Sequence, residues 1–416
     1  MQGPILPVLG SVPILPHTFS ILFRLSGPRT WVFPSFSFVL GYAVGGGVQL
    51  SQIGIGIAVA SLVTAATNII NAYADRKEDA TNQPQRLFWL GQIGFRQITA
   101  SLVVLYSSAV ALAIYLGPLF TLVLGFGILN SIFYSLPPLR FKAKPLASLA
   151  SFSGALGLPF LGGLGVRGSL DLLNPMLWLL TWFMFTYGTV KNLPDYFGDM
   201  KAGIRTSATI FKNVKKAVLF SSILLSTPFI LLVAFVSLGL LEPIYIADLA
   251  LIPLFAFIIT EMLKAKDTAG LEKAHTFGFF YAISFLLFTF VLTSLTIQSL
   301  VMVLVAYFWT LTVAKLSVHS RSSPETGRNR GRGREERSRQ QRAILRPSQR
   351  PSHHSYHNRS KLCALGAAWR RKDHHLPKPA QRSDRSWLEM SLRHNKQPHF
   401  TDQRTSSCHG TCAGKS

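Results

Sequence analysis

Acidic side chains are scarce in the first 318 residues, which hold 11 of them, and five of those fall in two short runs. The first run is Asn71-Ala-Tyr-Ala-Asp75-Arg-Lys-Glu-Asp79 and the second is Asp195-Tyr-Phe-Gly-Asp199. Asn71, Asp75 and Asp79 are spaced i, i+4, i+8, which on a helix aligns three oxygen donors along one face. Asp195 and Asp199 repeat the i, i+4 step if their helix persists. Oxygen donors without His or Cys select a hard cation such as Mg²⁺, which keeps part of its water shell and completes its coordination with phosphate oxygens. A diphosphate is the natural complement. Cations able to hold it directly stand close by: Lys77 and Arg86 after the first run, Arg140 and Lys142 further along, Lys191 and Lys201 flanking the second. Metal and basic side chains together stabilise the charge that builds on a departing phosphate group.

The elements that must position these residues are membrane helices. The 416 residues are 49% hydrophobic and only 14% charged, with a mean hydropathy of +0.31, too apolar for an ordinary soluble chain of this length. Segments near the roughly 20 residues needed to cross a bilayer recur at 31–48, 52–73, 97–116, 118–136, 147–166, 175–192, 217–240, 244–263, 276–294 and 299–316. The pattern predicts an all-α, polytopic transmembrane helix bundle of nine or ten spans, the turn between Thr293 and Ser299 deciding the count. Lys and Arg collect in every even-numbered connection, as at Arg140, Lys142 and Lys144 after span four. Short basic loops stay on the cytoplasmic side, so both Asp runs, after spans two and six, are expected together on that side. Carboxylates beside lipid are costly and are kept for function. The N-terminal stretch carries no basic residue before Arg24, which argues against a cleaved signal peptide.

Beyond Val318 the composition changes to Arg, Ser, His, Gln and Pro. Residues 319–416 hold 22 of the 42 Lys and Arg but 7 of the 18 Asp and Glu, so most of the net charge of +24 belongs to this segment. The division is therefore a transmembrane domain at 1–318 and a disordered basic tail at 319–416, too poor in apolar periodicity to offset its chain entropy. The segment reads either as a polybasic arm attracted to anionic lipid headgroups or as a low-complexity accident of the reading frame, and no nucleic-acid partner is expected. All three cysteines, Cys363, Cys408 and Cys412, lie in the tail without zinc spacing.

Residues 71–79 resemble the NxxxDxxxD motif of the UbiA superfamily of intramembrane prenyltransferases. Lys191-Asn-Leu-Pro-Asp-Tyr-Phe-Gly-Asp-Met-Lys-Ala-Gly203 resembles its second Asp-rich motif, and Tyr134-Ser-Leu-Pro-Pro-Leu-Arg-Phe-Lys142 is similar to its tyrosine, proline and basic connection after the fourth span. The two Asp motifs, in this order in a multi-span chain, make a more specific match than either alone. The resemblance implies a helix bundle around a central cavity, with an isoprenoid tail in an apolar tunnel and its diphosphate at an Asp-lined mouth. Asp75, Asp79, Asp195 and Asp199, with Asn71, would bind Mg²⁺. Arg86, Lys142, Arg140 and Lys191 would hold the diphosphate, and Tyr134 would sit near the developing allylic cation. The implied activity is transfer of the isoprenoid chain from an allylic prenyl diphosphate to a lipophilic or aromatic acceptor reached from the bilayer. Where many relatives carry Arg-Pro-x-x-Ser-Gly, this chain reads Gln83-Pro84-Gln85-Arg86-Leu87-Phe88-Trp89-Leu90-Gly91, which leaves the acceptor open.

Blander readings compete. An Asp-rich loop is commonly a solvated connection, Tyr134 suits an interfacial anchor, and Arg140, Lys142 and Lys144 suit the charge bias of cytoplasmic loops. His17 and His275 show no site. Two other functions use the same residues: a terpene cyclase of the same superfamily, which ionises the substrate without an acceptor, and a transporter with a cation-binding Asp pair. Transporters place such carboxylates near the midplane at broken helices, whereas these lie at span ends.

Overall fold

The structure, a computed structural model, describes residues 14–314. The expectations for the basic tail at 319–416, its disorder and its cysteines, lie outside the described residues. Within them there are fourteen α-helices joined by turns and short 3-10 segments, and no strand. In chain order they are α1 (Ile14–Leu25), α2 (Val32–Val44), α3 (Leu50–Ala74), α4 (Arg76–Asn82), α5 (Pro84–Leu90), α6 (Phe95–Leu116), α7 (Pro118–Ser135), α8 (Pro145–Val166), α9 (Pro175–Lys191), α10 (Tyr196–Ala202), α11 (Val214–Ser237), α12 (Ile252–Lys264), α13 (Thr268–Thr293) and α14 (Ile297–Ala314).

All ten expected spans are helical, and the break between Thr293 and Ile297 separates α13 from α14. Eight are at least 18 residues long and apolar enough to cross a bilayer, counting the 3-10 turns at 243–251 together with α12. The other two, α2 and α9, are 13 and 17 residues long. Helix α2 stops at Val44 because Gly45, Gly46 and Gly47 follow, with Gly46 at φ 76°. Helix starts are marked chemically. Pro118, Pro145 and Pro175 occupy first turns, where the missing N–H costs nothing. Asn174, Asn213 and Asp267 accept hydrogen bonds from the backbone at the starts of α9, α11 and α13.

The helices pack in a circuit: α2 on α3, α3 on α6, α6 on α7, α7 on α8, α8 on α9, α9 on α11, α11 on α12, α12 on α13, and α13 back on α2. Helix α8 also crosses the circuit to lie against α2. That contact is made by small residues. A Cβ added at Gly41 would overlap the Phe160 backbone, and one at Gly163 would overlap the backbone of Phe38 and Tyr42. Lipid offers apolar side chains no less favourable contact than protein does, so close backbone approach and interhelical hydrogen bonds do the holding. Ser37 Oγ donates to the Leu156 carbonyl at 2.6 Å, and Asn130 and Ser151 exchange two bonds between α7 and α8. Large apolar side chains on α6 and α14, such as Val104, Ile114, Leu304 and Phe308, point outward and are exposed to what would be lipid.

Two elements at the rim support the polar end of the bundle. Helix α1 buries Ile21 and Leu25 against Ile69, Ala72, Leu90 and Ile98, so it covers the end of α3 and props α5. The 3-10 turn Pro28–Trp31 is fixed from three directions. Asn68 Nδ2 on α3 donates to the Ser26 carbonyl (2.7 Å) and Thr30 Oγ1 (3.0 Å), Trp31 Nε1 donates to the Ser26 carbonyl, and Trp309 on α14 donates to the Pro28 carbonyl at 2.9 Å. The Trp31 and Trp309 rings stack 5.9 Å apart.

Replacing Gly163 with Leu should wedge α8 off α2 and lower the melting temperature of the purified protein in detergent, since overpacking a close contact costs about 1–3 kcal/mol. Gly54→Ala, on an exposed face of α3 with open space at its Cβ position, should leave it unchanged or raise it slightly.

Candidate active site

One cavity of about 660 Å³ lies inside the circuit, walled by α2, α3, α7, α8, α9 and α13 and closed at one end by α4, α5 and α10. Its deep part is apolar, lined by Phe38, Val59, Phe120, Val123, Leu124 and Leu158. The end closed by the short helices gathers Asn71, Asp75, Glu78, Asp79, Asp195 and Asp199 together with Arg86, Arg140, Lys142 and Lys191. Every residue singled out in the two Asp runs thus reaches the same space, and so does Tyr134. Lys77 and Lys201 do not line it and are exposed.

The first motif keeps its face although α3 formally ends at Ala74. Asp75 N bonds the Asn71 carbonyl (3.0 Å) and Asp79 N bonds the Asp75 carbonyl (2.7 Å), so the i to i+4 ladder runs through the junction into α4. In the second motif the helix does not persist. Helix α9 ends at Lys191 ahead of Pro194, whose ring cannot continue a helix, and a new helix starts after Asp195. Asp199 N bonds the Asp195 carbonyl at 2.8 Å, so the step of four is regained on the first turn of α10.

The two motifs touch through a residue that the spacing of acidic side chains did not single out. Asn82 Nδ2 donates to Asp199 Oδ1 at 3.0 Å, and a Cβ at Gly198 would overlap the Asn82 side chain. Gly198 therefore lets α10 approach α4 closely enough for that bond. The signal was available in the position of Asn82, three residues after Asp79 and so on the same side of α4.

Charge is balanced locally. Arg86, buried on α5, places Nε 2.6 Å from Asp79 Oδ2 and Nη2 3.3 Å from Asp75 Oδ2, and also donates to the Asn71 carbonyl. Lys142 pairs with Asp75 as well. Arg140 pairs with Glu78 at 2.5 Å, and it alone among the described non-glycine residues has positive φ, 37°, a conformation held by its surroundings. Among the described residues Lys191 has no carboxylate within ion-pair distance. Its ammonium donates to Tyr134 Oη at 3.1 Å and lies over the Tyr134 and Phe152 rings, 5.6 and 4.7 Å from their centroids.

Burial pulls the Lys142 ammonium down to about 7, with the charge of Lys191 adding and that of Asp199 opposing. Burial pushes the Asp199 carboxyl up to about 6; Glu78 adds to this, while the Asn82 bond, Lys142 and Lys191 hold it back. An anion with associated cations would relieve both groups at once.

Among the described residues no three His, Cys, Asp or Glu side chains form a ready-made metal cage. Mg²⁺ is commonly held by one or two carboxylates, water and substrate phosphate oxygens. The donor set is oxygen only, which fits that choice. His275, which showed no site in the sequence, lines the cavity, stacked on Tyr187 with centroids 6.4 Å apart. Its position on the inner face of α13 could not be read without the packing.

Fold and site together define an integral, multi-pass membrane protein with a two-motif carboxylate site at the end of an apolar cavity. The sequence model of the UbiA prenyltransferase family matches residues 32–283, and the chain belongs to that family. The bacteriochlorophyll synthase 34 kDa chain of Chloroflexus aurantiacus is 27% identical over 202 residues, 47% of this chain and 65% of that protein. Digeranylgeranylglyceryl phosphate synthase of Halobacterium salinarum is 31% identical over 170 residues, 41% of this chain and 59% of that protein. The chain thus spans less than two thirds of the length of these two relatives. A solved structure of a UbiA homolog from Archaeoglobus fulgidus bound to DMAPP and Mg²⁺ is 19% identical with a TM-score of 0.49, covering 64% of this chain and 98% of that one.

Arg86→Gln should lower the melting temperature strongly, because removing one partner of a buried ion pair costs about 3–5 kcal/mol. Adding Asp79→Asn should recover part of the loss by removing the charge that Arg86 had matched.

Proposed function

We propose that this chain is a membrane prenyltransferase that moves an isoprenoid chain from an allylic prenyl diphosphate to a lipophilic or aromatic acceptor. The observation that carries the reading is the meeting of Asp75, Asp79, Asp195 and Asp199, from two motifs 120 residues apart, at one end of a cavity whose far part is lined by apolar side chains. An amphiphilic ligand with a compact polyanionic head and a hydrocarbon tail matches both ends. The family membership, and relatives named as the 34 kDa chain of a bacteriochlorophyll synthase and as digeranylgeranylglyceryl phosphate synthase, support the same class of reaction.

In this reading the four carboxylates, with the Asn71 amide, hold Mg²⁺, which when bound supplies Lewis-acid charge against the diphosphate as the allylic C–O bond breaks. Arg86, Arg140 and Lys142 exchange their present carboxylate partners for diphosphate oxygens. Lys191, which has no carboxylate partner to give up among the described residues, joins them. The departing diphosphate takes the bonding electron pair, leaving an allylic cation that a nucleophilic atom of the acceptor captures with loss of a proton. Tyr134 presents its ring to that cation. The ring already lies under one positive charge, that of Lys191, which supports the role. The apolar wall keeps water from capturing the cation first. The Lys and Arg bias of the even-numbered connections supports a cytoplasmic position for the Asp-lined mouth.

Prenyl transfer in membranes should require Mg²⁺ and fall by about 10²-fold or more in Asp75→Ala and Asp195→Ala, as expected when a main electrostatic element is removed; undiminished activity in those variants would sink the proposal. A cyclised hydrocarbon or alcohol formed from prenyl diphosphate alone would instead indicate a terpene cyclase, and cation-driven uptake without any product a transporter. Gly198→Ala should force Asn82 off Asp199 and separate the two motifs. A misplacement of about 1 Å at such a site costs on the order of 10²-fold in rate, to be read as kcat/KM for the prenyl diphosphate with the melting temperature little changed.

A further inference from the structure

Two aromatic rings close the deep end of the cavity. Among the described residues the space reaches no deeper than Met184 on α9 and Phe279 on α13, so its lower part is bounded by α2, α3, α7 and α8. There Phe38 of α2 and Phe120 of α7 meet edge to face, ring centroids 5.5 Å apart. Each ring sits in a notch left by a missing side chain. A Cβ at Gly56 on α3 would overlap the Phe38 ring, and one at Gly162 on α8 would come within 3.0 Å of the Phe120 ring. Tyr42, one turn further along α2, is fully buried, stacks on Phe38 with centroids 6.1 Å apart and donates to Gln52 Oε1 on α3. Neither Tyr42 nor Gln52 lines the cavity. The two rings therefore form a floor backed by packed, hydrogen-bonded protein.

Three walls give the depth independently. Asn71 and Gly56 are fifteen residues apart on α3, whereas Tyr134 and Phe120 on α7, and Ser148 and Gly162 on α8, are fourteen apart. All six line the cavity, and at the helical rise per residue each separation is about 21–22 Å. Four isoprenoid units place sixteen carbon–carbon bonds end to end, about 20 Å when extended in zigzag from bonds of ~1.5 Å. The polar side chains between mouth and floor are turned to one another: Thr67 to Ser131 at 2.7 Å, and Asn130 to Ser151 at 2.6 and 2.9 Å. A hydrocarbon chain can run past them without breaking those bonds.

We infer that the Phe38 and Phe120 rings set the longest donor this chain accepts, at about four isoprenoid units. The inference rests on the prenyl-transfer reading and adds to it the length class of the donor. With the diphosphate held at the carboxylate mouth, the tail runs down the cavity and its far end meets the two rings. A longer tail must buckle against a closed floor and is penalised as overpacking is. In a bilayer the tail exchanges one hydrocarbon environment for another, so the discrimination is steric and added length brings little affinity below the ceiling. Gly127 stands on α7 midway between Tyr134 and Phe120, lines the cavity and has open space where a Cβ would be. Gly125 has the same open space but is exposed and outside the cavity. The two positions separate an effect on the bore from an effect on the helix.

The test uses the full chain in lipid nanodiscs with Mg²⁺ and the thiolo analogues of prenyl diphosphates of two, three, four, six and eight units. Their C–S bond ionises slowly enough for equilibrium binding to be read. Wild type should bind the three shortest within about threefold of one another and the six- and eight-unit probes about tenfold or more weakly. Gly127→Leu should keep the two-unit probe within about twofold of wild type and weaken the four-unit probe by about tenfold. Gly125→Leu should match wild type at every length. Phe120→Ala should bring the six-unit probe to within about threefold of the four-unit one. Equal binding of all lengths by wild type, or a Gly127→Leu effect that is absent or the same at every length, would overturn the inference and leave the transferase reading standing. So would a Phe120→Ala protein that binds the four-unit probe and still rejects the six-unit one. A wild-type protein that binds no prenyl probe would overturn the transferase reading instead, and the length ceiling with it.

Discussion

Carboxylates can gather beside a hydrocarbon-lined cavity only if positive charge gathers with them, because the interior of a membrane protein screens like charges poorly. That requirement organises the whole polar end of this molecule. Arg86 comes from α5 to stand between Asp75 and Asp79, Lys142 arrives from the connection after α7, and Arg140 takes Glu78. Each of these partners belongs to a different segment from the acid it matches, so the pairs also tie α3, α4, α5 and the loop at 136–144 into one lid. The same charges that let the site assemble are those that a polyanionic headgroup would recruit.

The second constraint is steric. With no aqueous driving force between helices in lipid, contact depends on places where side chains are missing. Gly41 and Gly163 allow α8 to lie against α2 across the circuit, and this crossing forms the back wall of the cavity. Gly198 plays the same part on a smaller scale between the short helices. The absence of a methyl group there sets how close one carboxylate arm comes to the other.

Much of this was legible in the sequence, for identifiable reasons. Long apolar runs between basic connections fix spans whatever the tertiary packing, so ten helical segments fell where hydropathy put them. The step of four in both Asp motifs survived because local backbone hydrogen bonds, not distant contacts, determine it. What could not be read depends on three-dimensional approach. The break at Pro194 shifts Asp195 from a helix end to a helix start without altering its spacing. Asn82 matters because α10 happens to dock on α4. His275 and Arg29 carry no motif; they acquire neighbours only when α13 closes against α2. The exposed positions of Lys77 and Lys201 show the converse, that nearness in sequence to an acidic cluster does not bring a cation into it.

The stacking of Trp309 on Trp31, and its bond to the Pro28 carbonyl, join parts of the chain 281 residues apart. Helix α14 adds no wall to the cavity, yet it is one of the three props of the turn that bears Arg29. During biosynthesis the earlier helices can insert and find one another as they emerge, whereas the Trp309 contacts of this turn form only after α14 has entered the bilayer. Completion of the cavity is thereby coupled to completion of the bundle, and a nascent chain stalled before α14 would be inserted in the membrane with that wall of its site still unset.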